Sequence, residues 1–187
     1  MTLEALANAL NAASIWLAAR NSILTWPAGI AGCLLFGALF VGHQLYADAT
    51  LQSFFIATSV IGWWRWGAAQ RPVTRARPAA LAAMALAGLV AAFGYGYLLH
   101  RFTDAYLPYA DSLVLSLSVA AQCLLMQRKV ETWPAWLLVN TISVGIFTSR
   151  GLHLTAILYA IFWLNAWYGW WGWRRALHRP MTVIEAA

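Results

Sequence analysis

The chain has 187 residues, 62% of them hydrophobic and 10% charged, with a formal net charge of +6. Soluble domains carry roughly 45–50% apolar and about 25% charged residues, so this composition cannot cover a water-facing surface. The basic excess does not indicate a nucleic-acid partner, because the Lys and Arg residues occupy short gaps between apolar stretches.

Crossing the hydrocarbon takes about 20 mostly apolar residues in a helix, with ~17 as the lower limit. Seven segments meet this: residues 3–19, 26–43, 48–66, 79–99, 108–126, 133–149 and 152–173. The first carries Glu4, Asn8 and Asn11, has no basic residue before it and is followed by Arg20, so it reads as a span and not as a cleaved leader. The second holds Gly29, Cys33 and Gly37 at helical spacing, a ridge suited to close packing. The third runs through Gln52 and Thr58 and ends in GWWRWG from Gly62. The fourth is rich in Ala and Leu. The fifth carries Asp111, Ser116, Ser118, Gln122 and Cys123. The sixth opens on Thr132 and Trp133 and continues through Trp136 and Asn140; the seventh carries Trp163, Asn165 and Trp167 and ends in GWWGWR from Gly169. Neither cysteine has a CxxC or Cys/His partner, so both read as packing residues, with no disulfide and no metal site. Thr58, Ser116, Ser118 and Gln122 are expected to bond between helices, and Pro27 and Pro134 to occupy first turns.

Shifting the sequence by 107 residues superposes 25–28 on 132–135 and the two GWWxW motifs on each other. Phe40, Leu45, Ala49, Leu51 and Phe55 then fall on Phe147, Leu152, Ala156, Leu158 and Phe162. The unit is three helices long, and its copies lie four spans apart, so both cross in the same direction. The expected architecture is an all-α integral membrane protein of seven transmembrane helices in a 3+1+3 parallel repeat, the SWEET transporter plan. Residues 1–66 form the first repeat, 67–107 the linker with its connecting helix, 108–174 the second repeat and 175–187 a tail. Placing the N-terminus outside and the C-terminus in the cytoplasm puts ten of the twelve Lys and Arg inside, leaving Arg101 and Arg150 outside. The six tryptophans of the two motifs then fall at the inner boundary as anchors, with Gly62 and Gly169 letting helices approach.

No phosphate loop, HExxH or nucleophile–base pair is present, so an enzyme is not indicated and no cofactor is called for. The acidic residues lie at span ends, which leaves a proton-driven pump little to titrate. Aromatic and amide groups are what sit at depth. Trp133, Trp136 and Asn140, at i, i+3 and i+7, share one helix face, and Trp163 and Trp167 share another. Trp faces can hold a flat cation while Asn bonds a carboxamide or hydroxyl, which suits a small, polar, aromatic substrate. Asn140 could equally bond another helix, and Gln52 could be a ligand contact or an interfacial residue. Gly29 and Cys33 stand at the positions equivalent to Trp136 and Asn140, the asymmetry expected where a duplicated scaffold holds one asymmetric ligand.

These features, with LYADATLQSFF at 45–55 and WLNAWYGWWGW at 163–173, resemble the nicotinamide riboside transporter (PnuC) family of bacterial vitamin transporters. The resemblance implies an inner-membrane facilitator for nicotinamide riboside, with intracellular phosphorylation trapping the product, and a homotrimer. It carries the substrate-site role to Trp133, Trp136 and Asn140, and further to Gln52, Asn165 and Trp163. Thiamine and riboflavin carriers are related alternatives, and a non-transporting membrane interaction protein is a different class.

Overall fold

A chain without water around it must bond its backbone internally, and apolar runs of this length do so as helices. The computed structural model describes residues 3–42, 46–67, 72–102, 107–149, 151 and 153–177. Among these, seven α-helices form: α1 Leu3–Ala19, α2 Thr25–Gly42, α3 Tyr46–Gly67, α4 Pro78–Phe102, α5 Pro108–Met126, α6 Thr132–Ser149 and α7 His153–Leu177. They fall on the seven expected segments to within a few residues. The tail beyond Leu177 lies outside the described residues, as do 68–71 and 103–106 of the linker. By length and composition, α4 and α5 are long and apolar enough to cross a membrane. At ~1.5 Å per residue α3 and α7 are also long enough, although Trp, Asn and Arg dilute their apolar character.

The packing is a ring. α1 lies against α2 and α7, α2 against α3, α3 against α5, α5 against α6, and α6 against α7. α4 stands outside it, packed only on α5 among the described residues. Its contact centres on Gly96, where an added Cβ would come 2.6 Å from the Tyr109 ring, so only glycine allows this approach. Ala92, one turn before Gly96, is also buried, whereas Leu86, Val90, Phe93 and Phe102 are exposed.

The 107-residue shift reappears in the backbone. At the end of α1, Asn21 N–H donates to Ala18 O and Ser22 N–H to Leu17 O; at the end of α5, Arg128 donates to Leu125 and Lys129 to Leu124. Asn21 and Arg128 both take left-handed φ, 55° and 53°. The next helix starts alike in both copies, with the Thr25 hydroxyl donating to Ser14 O at 2.8 Å and the Thr132 hydroxyl to Ala121 O at 2.9 Å. Each of these pairs differs by 107.

The copies meet in a core of tryptophans. Trp26 lies edge-on to Trp66, centroids 5.1 Å apart, and its repeat mate Trp133 lies edge-on to Trp173 at 5.4 Å. Trp66 and Trp173 meet at 6.0 Å, joining the two pairs. This corrects the expectation that all six motif tryptophans are interfacial anchors: Trp66 and Trp173 are 4% and 1% exposed, whereas Trp64 is 74% exposed. The third Trp of each motif turns inward because it lies on the opposite side of the helix from the second. The motif glycines have a specific task. A Cβ on Gly62 would sit 2.5 Å from the Trp26 ring, and one on Gly169 2.6 Å from the Trp133 ring, so each glycine is the seat of an indole.

A short clasp closes this end. Thr74, in the segment before α4, pairs with Lys129 in a parallel bridge, with Thr74 N–H donating to Arg128 O and Val130 N–H to Thr74 O. The Lys129 ammonium donates to the Thr74 hydroxyl and the Arg75 carbonyl, and Ala76 N–H donates to the Glu131 carboxylate at 2.9 Å. Val73 and Val130 beneath it complete the tryptophan core.

Candidate functional site

The inward face of α6 carries the expected series. Trp133 stands at its first turn, 2% exposed, seated on Gly169, with an indole N–H that has no partner. One turn on, Trp136 is half-buried and packs against the tryptophan core. A further turn on, Asn140 is 4% exposed, and its carboxamide has no hydrogen bond to a described residue. Ser143, at i+3 from Asn140, is buried on the same face and likewise unpaired among the described residues. On the neighbouring helix α5, Gln122 is a third buried polar side chain with no hydrogen bond to a described residue. Their polar atoms are not sealed off: the fully enclosed atoms without a partner include instead the indole N–H groups of Trp26, Trp133 and Trp173. Asn140, Ser143 and Gln122 thus offer hydrogen-bonding groups to a ligand or water.

The remaining candidates point elsewhere. Trp163 donates its indole N–H to the Thr141 hydroxyl at 3.2 Å. Thr141 is exposed while its neighbour Asn140 is buried, so Trp163 lies on the outward side of the α6–α7 pair. Its ring contacts Trp167 at 5.9 Å. Asn165 donates to Ile15 O at 3.1 Å and so ties α7 to α1. Gln52 is half-buried on α3, with its Cβ facing Gly37 of α2. The structure thus gathers Trp133, Trp136 and Asn140 on one face and leaves Trp163, Asn165 and Gln52 apart from it.

Two residues named as interhelical bonders act differently. The Thr58 hydroxyl donates to Phe54 O and Phe55 O, and the Ser118 hydroxyl to Val114 O, all within their own helices. A hydroxyl in apolar surroundings finds its own i−4 carbonyl more readily than a neighbouring helix. Ser143 was legible only as a Ser three residues beyond Asn140, a spacing that places it on the same face.

The buried polar side chains among the described residues are all Ser, Thr, Asn or Gln, so the interior presents hydrogen-bonding groups without charge. The nearest cation is at the core's edge, where the Arg128 guanidinium lies 4.3 Å over the Trp66 ring. Burial draws its pKa down from the usual arginine value.

A closed ring of apolar helices enclosing neutral polar groups is the build of a multi-pass membrane transporter. The chain belongs to the nicotinamide mononucleotide transporter family, whose model matches residues 1–175. Among its relatives, the nicotinamide riboside transporter PnuC of Escherichia coli (strain K12) is 28% identical over 190 residues, 85% of this chain and 79% of that protein. The riboflavin/roseoflavin transporter RibM of Streptomyces davaonensis is 29% identical over 195 residues, 96% of this chain and 88% of that one. The crystal structure of the vitamin B3 transporter PnuC shares the fold, with a TM-score of 0.75 at 18% identity, covering 94% of this chain and 81% of that one. The protein is therefore a membrane transporter and not an enzyme.

Proposed function

We propose that the protein takes up nicotinamide riboside across the bacterial inner membrane by facilitated diffusion, with intracellular phosphorylation trapping the product. The observation that carries this is the Asn140 carboxamide, buried and unpaired on the face that also presents Trp136. Trp136 supplies an aromatic face for the pyridinium cation, and Asn140 with Ser143 supplies partners for its carboxamide or ribose hydroxyls. Trp133 closes the floor of the site; Gln52, Asn165 and Trp163 lie apart from this face and are assigned no substrate contact.

The same reading makes all seven helices spans in a 3+1+3 parallel repeat, with the units 1–66, 67–107 and 108–174 and a cytoplasmic tail. The closed ring, the isolated α4 and the duplicated α1–α2 and α5–α6 turns support it. The distribution of Lys and Arg supports an outer N-terminus. The family resemblance supports a homotrimer.

Riboflavin is the second reading, favoured by the riboflavin/roseoflavin transporter that matches 96% of this chain. Its ring system is larger and uncharged, so it gains stacking on Trp136 but no cation–π attraction. Calorimetry on purified protein with nicotinamide riboside, riboflavin and thiamine separates the substrates. For nicotinamide riboside, Trp136→Ala should lose ~0.5–2 kcal/mol, a few-fold to thirtyfold in Kd. Asn140→Leu should lose about 1–3 kcal/mol through the vitamin group it leaves unpaired. Parental affinity in both folded variants would show that this face is packing.

A further inference from the structure

The last two turns of α7 carry an aromatic and cationic stripe that the transport site does not use. Trp167, Trp170, Trp171, Arg174 and Arg175, at i, i+3, i+4, i+7 and i+8, line a surface cavity of about 250 Å³. The Trp167 and Trp170 rings meet at 5.0 Å with their planes tilted by 36°. The Arg175 guanidinium lies 3.5 Å over the Trp171 ring, and that of Arg174 lies 5.6 Å from Trp170. Neither arginine has an ion pair or hydrogen bond with a described residue, so their N–H edges are unspent while ring contacts fix their position. α7 packs on α6 and α1, and Trp167 and Trp171 stay exposed on its free side.

We propose that this cavity binds an anionic glycerophospholipid, with the phosphodiester on Arg174 and Arg175 and the acyl chains over the tryptophans. The dimensions fit an amphiphile. Seven residues separate Trp167 from Arg174, about 10 Å along a helix, which places the arginines at headgroup level when Trp167 lies at the acyl boundary. Paired guanidiniums suit a phosphate's oxygens better than a single ammonium would. The other repeat supplies an internal control. α3 ends in the same motif, but Gly67 and Ala68 occupy the positions of Arg174 and Arg175, with exposed Trp63 and Trp64 before them. α3 marks its boundary with one cation, Arg65, inside the motif, whereas the adjacent arginines, each held over a ring, are particular to α7. Under the topology proposed above the lipid belongs to the cytoplasmic leaflet, and the site is independent of which vitamin is carried.

Native mass spectrometry of the full-length protein in detergent, titrated separately with dioleoyl phosphatidylglycerol, dioleoyl phosphatidylcholine and glycerol 3-phosphate, tests this. Phosphatidylglycerol should be retained well above phosphatidylcholine, and glycerol 3-phosphate should neither bind nor compete at equal concentration. Arg174→Gln with Arg175→Gln should weaken phosphatidylglycerol retention about thirtyfold, two cations at roughly 1 kcal/mol each. Trp171→Ala, which removes the ring under Arg175, should weaken it several-fold and serves if the double variant does not fold. Equal retention of the two lipids, competition by glycerol 3-phosphate, or undiminished binding in either folded variant would overturn the proposal.

Discussion

Gly62 and Gly169 show how much a single missing side chain can organise. Each carries an indole directly on the helix backbone, and the indole positions the third Trp of its motif. Gly169→Ala would drive a Cβ to 2.6 Å from the Trp133 ring, and the ring is hemmed in by Trp173, so it cannot swing away freely. Overpacking of this kind costs ~1–3 kcal/mol. Thermal unfolding in detergent should show a clear fall in Tm for Gly169→Ala and Gly62→Ala. Gly145→Ala, where a Cβ meets nothing within 4 Å, should leave Tm unchanged or raise it. The GWWxW motifs were plain in the sequence, but their division of labour was not. Interfacial and core tryptophans have the same composition, and only the packing of Trp66 and Trp173 against their partners separates them.

At the scale of elements, the α1–α2 and α5–α6 turns are the same object built from different residues. Residues 17–24 and 124–131 share only Leu17 and Leu124, yet the bonds that close the turn, Asn21 to Ala18 and Ser22 to Leu17, recur as Arg128 to Leu125 and Lys129 to Leu124. Backbone bonding tolerates almost any side chain, which is why identities between the copies cluster from position 25 onward while the structural correspondence is already plain in the turn before it. The left-handed residue is Asn21 in one copy, a type suited to that conformation, and Arg128 in the other, held by its contact with Trp66. What both copies keep is the threonine that ties the new helix to the old one. Thr132 is fully buried, and Thr132→Val preserves its shape while removing the bond to Ala121 O. The expected loss is about 1 kcal/mol, read as a lowered Tm. Ser118→Ala, which removes only a bond to Val114 O within its own helix, should change stability by much less.

For the whole molecule, the helices were legible because an apolar run can satisfy its backbone in only one way in lipid. The candidate site was legible in part: Trp136 and Asn140 share a face by spacing alone. The outward turn of Trp163 and the attachment of Asn165 to α1 depend on how α7 is rotated against its neighbours, which spacing does not encode. The interior also bears on the energetics of the transport proposed above. Coupling uptake to a proton requires a group that titrates at depth, yet the buried polar side chains among the described residues are neutral, and Asp111 lies at the first turn of α5. Substrate should therefore move only down its own gradient. In proteoliposomes without a trapping enzyme, nicotinamide riboside should reach the same concentration inside and outside, at a rate unaffected by an imposed pH or sodium gradient. With a nicotinamide riboside kinase and ATP enclosed, total label should continue to rise while the free vitamin stays level. Accumulation of free vitamin above the external concentration under a pH gradient would require a titratable group in the path, and Asp111 would be the first to replace with Asn.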